Sequence, residues 1–158
     1  MKIGQGMVST VYLQNGIVSK QYLTPFHKYA PRNIKWHWKN ELKALKLLKG
    51  KKHFPQLISV DHANKIIYMS YCGDLLTEKN IPNDWEKQCT EIEETLYNND
   101  IYHQDLIGKD NPKPPHQKNI HVKEGVIYII DFGIWAKTYS NGFHTITSVV
   151  AKVASNRK

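Results

Sequence analysis

Apolar and polar residues alternate along Val8-Ser-Thr-Val-Tyr-Leu13 and again along Ile17-Val-Ser-Lys-Gln-Tyr22, with Asn15-Gly16 between the two runs. A period of two places side chains on alternate faces of a strand. Asn-Gly favours the tight turn that joins twisted antiparallel strands, so residues 8–22 are predicted to form a hairpin. Pro25 and Pro31 make 23–33 a loop. The period then becomes helical. Ile34, Trp38, Leu42, Leu45 and Leu48 share one face, Lys35, Lys39, Lys43 and Lys46 the other, and Gly50 is placed to end the helix. Gln56–Val60 and Lys65–Cys72 predict two strands around a turn at Asp61-His-Ala-Asn64, so the first 72 residues read β-β-α-β-β.

Beyond residue 72, Asn83 followed by Glu86 has the spacing of a capping box. Trp85, Cys89, Ile92 and Leu96 continue as a helical stripe to about Tyr97, where Asn98-Asn99 breaks it. Ile120–Val122 and Val126–Ile130 flank Lys123-Glu-Gly125 and predict a second short hairpin. Lys109–Pro115 reads as an exposed loop, and Ile146–Val153 as a final helix. No internal repeat is present.

Composition narrows the class. The chain has 158 residues, 41% hydrophobic and 23% charged, as in a globular protein. No apolar run reaches the roughly 18 residues of a membrane span. The first residues have no apolar signal region, so the expectation is an intracellular, cytoplasmic protein that is not secreted. Cys72 and Cys89 lack metal-ligand spacing and read as two idle thiols. A net charge of +8 suits an anionic partner, although most of the lysines read equally well as a solvated face.

Candidate chemistry starts with Gly4-Gln-Gly6-Met-Val-Ser9-Thr-Val11. Glycines let backbone N–H groups approach phosphate oxygens because no Cβ intervenes. The hairpin context argues against a dinucleotide fold, which needs strand, loop and helix. Lys20 shares a strand face with Val18 and Tyr22, and Glu41 falls on the apolar face of the first helix. A carboxylate there is costly unless paired, and Lys20 is the natural partner. The alternative is a glutamate at the stripe edge that reaches water. Asp105 lies just after the second helix, and Asn119 and Asp131 stand at the two ends of the second hairpin. An amide oxygen and a carboxylate meeting there would suit Mg²⁺, and an aspartate nearby could accept a proton from a hydroxyl.

Taken in order, Gly4-x-Gly6-x-x-Ser9-x-Val11, Lys20, Glu41, His103-x-Asp105, Asn119 and Asp131-Phe-Gly133 resemble the signature set of the protein kinases. The resemblance covers residues 1 to about 135. It implies an α+β, two-lobed protein-kinase-like fold. Residues 1–72 would form a lobe with a five-stranded-type sheet and one helix, and 73–158 a reduced helical lobe. It implies ATP and Mg²⁺ as cofactors and an ATP-dependent phosphotransferase, acting on a hydroxyl in the manner of a Ser/Thr protein kinase. Gly4, Gly6, Ser9 and Val11 would cover the phosphates, and Lys20 would bind them, held by Glu41. Met69 would guard the back of the adenine pocket, and Ser70, Tyr71 and Cys72 would present backbone groups to the base. Asp105 would be the catalytic base, and Asn119 and Asp131 the metal ligands.

The departures shape the alternatives. Ser9 replaces a glycine, and Gln104 replaces the arginine that in the family often holds a phosphorylated loop. Asp105 and Asn119 are 14 apart where the family pattern has five, so nine extra residues enter the catalytic loop and Asn111 rivals Asn119 as metal ligand. Only 25 residues follow Gly133 and none forms an Ala-Pro-Glu motif; the chain resembles the RIO-type atypical kinases and the aminoglycoside phosphotransferases in having no standard activation segment, and is shorter than either. A pseudokinase that binds nucleotide or a protein partner without turnover is therefore the second reading. A protein substrate or partner is expected, and a partner chain or second copy that completes the second lobe is a further expectation. Membrane association is not expected, and nucleic acid is disfavoured because the lysine face lacks exposed aromatics beyond Trp36.

Overall fold

The alternation over 8–22 forms strands β2 (Ser9–Gln14) and β3 (Ile17–Tyr22), paired from Ser9↔Tyr22 to Gln14↔Ile17. Asn15 and Gly16 both have positive φ, 51° and 76°, as a type I′ turn requires. The computed structural model describes residues 1–6, 8–22, 34–107, 117–137 and 144–157. Among these residues the protein is a mixed α+β fold with a five-stranded antiparallel sheet and three helices. Lys109–Pro115 and Asn111 lie outside the described residues.

The sheet runs β1-β2-β3-β5-β4, with β1 Lys2–Gln5, β4 Leu57–Asp61 and β5 Ile66–Ser70. Strand β1 corrects the β-β-α-β-β reading of the residues: the glycine stretch closes a separate hairpin between β1 and β2 rather than opening the next one. Its pairing is irregular between Lys2 and Gly4 and carries little apolar alternation, so no period-two signal announced it. Helix α1 (Ile34–Leu47) lies against the sheet. Trp38, Leu42 and Leu45 pack with Val18, Tyr22, Ile67 and Met69 in one hydrophobic cluster. Ala44 and Leu48, on the flank of the same stripe, belong instead to the second, larger cluster.

That larger cluster joins α2 (Trp85–Asn98), α3 (Ile146–Ala154) and the hairpin β8 (Ile120–Lys123)–β9 (Val126–Ile129). Ile120, Ile127, Ile129, Ile92 and Leu96 are buried in it. Two-residue strands β6 (Asp74–Leu75), β7 (Tyr102–His103) and β10 (Trp135–Ala136) complete the region, with β6 on β8 and β7 on β10. The hairpin expected over 120–130 is present, and these three short strands add to the helices and hairpin that the residues predicted. The capping box is corrected too. The N-cap of α2 is Asp84, not Asn83; its side chain makes no capping bond, and its Oδ1 accepts from Gln88 Nε2 at 2.8 Å. Thr145 does cap α3, accepting from the Ser148 N–H at 3.1 Å. No helix among the described residues is long and apolar enough to cross a membrane.

Candidate active site

Between the five-stranded sheet and the open end of the β8–β9 hairpin is a cavity of about 400 Å³. Gly4, Gly6, Ser9, Val11, Lys20, Glu41, Met69, Ser70, Tyr71, Cys72, Asp105, Asn119 and Asp131 all line it. Every candidate residue of the sequence reading within the described chain is thus brought to one place.

The strand period turns Lys20 inward with Val18 and Tyr22, and the helical period turns Glu41 toward it. Lys20 Nζ donates to Glu41 Oε2 at 2.6 Å and to Asp131 Oδ1 at 3.0 Å. Lys20 and Glu41 are 6% and 1% exposed, which excludes the reading in which Glu41 reaches water. Burial by itself would lower the Lys20 pKa, but the charges of Asp131 and Glu41 outweigh it and hold the ammonium well above the usual lysine value. For Asp131, burial would raise the pKa, and the neighbouring Lys20 ammonium instead holds it at about 2. The Tyr22 hydroxyl also donates to Glu41 Oε2. Burial, then the Glu41 charge, pushes that phenol well above its ordinary range.

Above this cluster the β1–β2 hairpin closes with the Gly6 N–H on the Ser9 carbonyl at 2.8 Å. On the far wall, the N–H groups of Ser70 and Tyr71 are used by the Gln56 and Gly16 carbonyls at 3.0 and 3.2 Å. The Cys72 N–H bonds to none of the described residues. Gly73, with φ of 86°, presses on β8 so closely that a Cβ would sit 2.1 Å from the Val122 carbonyl oxygen.

The lower wall is built from residues at the hairpin ends. Asn119 and Asp131 have φ of 63° and 61°, unusual for side-chain-bearing residues and a mark of local strain. The Ile130 N–H donates to the Asn119 carbonyl at 2.9 Å and draws the two ends together. Asn119 Nδ2 donates to the Asp105 carbonyl at 2.7 Å. Both polar contacts of the Asp131 carboxylate, to Lys20 and to the Gly133 N–H at 3.3 Å, use Oδ1; Oδ2 bonds to none of the described residues. His103 Nδ1 accepts from the Asp105 N–H at 3.1 Å, so its Nε2 carries the proton donated to the Ile130 carbonyl at 2.9 Å. The ring is neutral, and burial lowers its pKa accordingly.

Three contributors escaped the sequence reading. Tyr22 shares the Lys20 strand face, a signal that the period carried. Lys118 donates to Asp105 Oδ1 at 2.7 Å across a long separation in sequence, and nothing local announces that pair. His121 alternates with buried Ile120 and Val122 and lines the cavity, and its Nδ1 donates to the Gly73 carbonyl at 2.8 Å. Burial lowers its pKa below the ordinary histidine value. Compared with known proteins, the chain matches no protein-family model and no curated protein.

Proposed function

We propose that the chain is an ATP- and Mg²⁺-dependent phosphotransferase with a two-lobed, protein-kinase-like fold, residues 1–72 forming one lobe and 73–158 the other. One observation carries this reading. A buried lysine touches two carboxylates that lie 21 and 111 positions away in the chain, inside a cavity that also holds a glycine hairpin and Asp105. A buried ammonium fixed between acids is a pre-positioned contact for phosphate oxygens. The resemblance in motif order supports the same assignment, residue by residue.

In this reading Gly4, Gly6, Ser9 and Val11 cover the phosphates, and Lys20 draws them in while Glu41 holds it. The Cys72 N–H is the donor left over for the base, with Met69 behind it. The Asp131 carboxylate oxygen Oδ2 and the Asn119 amide oxygen are hard oxygen donors, the set that Mg²⁺ prefers. When bound there, the ion would neutralise charge on the phosphate oxygens. Asp105 orients an incoming hydroxyl and accepts its proton, and Lys118, paired with Asp105, adds a cation where negative charge gathers. The substrate class is a hydroxyl of a protein side chain.

The test supplies the full chain with labelled ATP, Mg²⁺ and basic or acidic protein substrates. Label transfer should fall by about 10²-fold or more in Asp105→Ala and in Asp131→Ala. Transfer that survives both substitutions would sink the mechanism. A chain that transfers nothing but is thermally stabilised by ATP is the nucleotide-binding protein of the second reading.

A further inference from the structure

Asn40 sits one position before Glu41 on α1, so the two side chains leave the helix about 100° apart. Glu41 turns to Lys20. Asn40 turns to the segment that follows Asp131, and there its Nδ2 donates to the Gly133 carbonyl at 3.1 Å and to the Trp135 carbonyl at 3.4 Å. The segment answers in kind: Trp135 Nε1 donates to the Asn40 backbone carbonyl at 2.8 Å. One turn earlier, on the same face of α1, His37 Nδ1 donates to the Gly133 carbonyl at 3.1 Å. Trp135 is 6% exposed and packs in the larger hydrophobic cluster, and Lys43 lies over its ring at 5.8 Å.

From these contacts we infer that Asn40 and Trp135 form a reciprocal clasp that positions Glu41 against Lys20. The inference deepens the nucleotide-binding reading and rests on it. Trp135 is paired through β10 to β7, directly across from His103. His103 in turn holds the Asp105 N–H and the carbonyl of Ile130, the residue before Asp131. A displacement of α1 away from this framework would carry Glu41 with it, since the two residues are consecutive. Lys20 would then keep Asp131 alone. Tyr22 sets the direction of the Glu41 carboxylate from the sheet side, whereas the clasp sets the depth of the helix itself. Asn40 and Trp135 are positioning residues, because neither lines the cavity. The clasp consists of neutral hydrogen bonds and an indole, so it needs no phosphorylated side chain to close.

A double-mutant cycle tests this. Binding of Mg²⁺ with a non-hydrolysable ATP analogue is measured by calorimetry on the full chain. The set is wild type, Asn40→Ala, Trp135→Phe, Glu41→Gln, and each of the first two combined with Glu41→Gln. Melting temperatures are taken for every variant. The clasp predicts that Asn40→Ala and Trp135→Phe each weaken binding by about tenfold in the wild-type background. With Glu41 already neutralised, the same changes should weaken it by less than about twofold, since there is no pairing left to position. Equal losses in both backgrounds would mean a general structural role and would overturn the inference, as would unchanged binding in both single variants. Trp135→Phe keeps an aromatic ring in the cluster while removing the N–H together with the five-membered ring of the indole; its melting temperature reports the packing lost, and its coupling to Glu41→Gln carries the test should Asn40→Ala fail to fold. A wild-type chain that binds no nucleotide would refute the phosphotransferase reading itself, an outcome distinct from nucleotide binding without coupling.

Discussion

Lys20 and Glu41 reach the cavity from inside regular elements, a strand of 6 residues and a helix of 14. Asn119 and Asp131 reach it from just outside a hairpin, at φ of 63° and 61°. The first pair is held in place by the hydrogen-bond ladders and by the apolar neighbours on the same stripe. The second pair stands in backbone conformations that cost about 1–3 kcal/mol each and persist only where the surroundings compensate. Here the compensation is visible in the Ile130–Asn119 backbone bond, the Asn119–Asp105 bond and the ion pair of Asp131 with Lys20. A cleft assembled in this way has one wall that is stable in its own right and one whose geometry depends on its neighbours.

Substitutions on the two walls test this difference. The largest expected effect is Phe132→Ala. This ring is fully buried between Phe54 and His103, at centroid distances of 6.1 and 5.1 Å, and it anchors the strained wall. Urea unfolding should show a loss of about 4 kcal/mol; a loss near zero would mean that the larger cluster does not support Asp131. Glu41→Ala should cost about 3 kcal/mol in thermal unfolding, since it strips a buried lysine and a buried tyrosine of their shared acceptor. Asp131→Ala should cost less, because the Asp131 side chain is 39% exposed against 1% for Glu41. The reverse order would show that the strained wall, not the regular one, holds the cluster together.

Two glycines with similar φ separate conformation from crowding. At Gly73 an added Cβ would meet the Val122 carbonyl, so Gly73→Ala should cost about 3 kcal/mol. At Gly16 nothing lies within 4 Å, and only the positive φ resists, so Gly16→Ala should cost about 1 kcal/mol. Equal costs would mean that the close approach of Gly73 to β8 is not maintained. The smallest effect concerns the thiols. Burial pushes Cys72 and Cys89 up to about 12. At pH 8 only about one thiol in ten thousand would then be ionised. Alkylation of the native chain should therefore be far slower than in denaturant, and rapid labelling of Cys72 would show that the cavity wall opens.

Much of this was legible in the residues. The hairpin over 8–22, α1, the β4–β5 pair, α2, the β8–β9 hairpin and α3 all follow from runs whose period is decided by near neighbours. The same logic reached the Lys20–Glu41 pair, because both residues are phased by their own elements. Strand β1 and the two-residue strands were not legible: they are too short or too irregular to show a period and exist because a partner strand is there to pair with. The Asn83 cap failed for a similar reason. Local spacing proposed it, and the side-chain contacts around Asp84 and Gln88 overrode it.

The amino-acid order alone sets the phase of each element, and so places Glu41 on the apolar face of α1 with Lys20 as its natural partner, while leaving open a glutamate that reaches water. Packing in three dimensions settles that Asp131 shares the Lys20 ammonium, that Lys118 pairs with Asp105, and that Asn40 and Trp135 hydrogen-bond each other across α1 and the segment after Gly133. Those contacts join residues far apart in the chain. Periodicity orients a side chain about its own axis but carries no information on the distance between two axes, which is settled only when the two hydrophobic clusters pack.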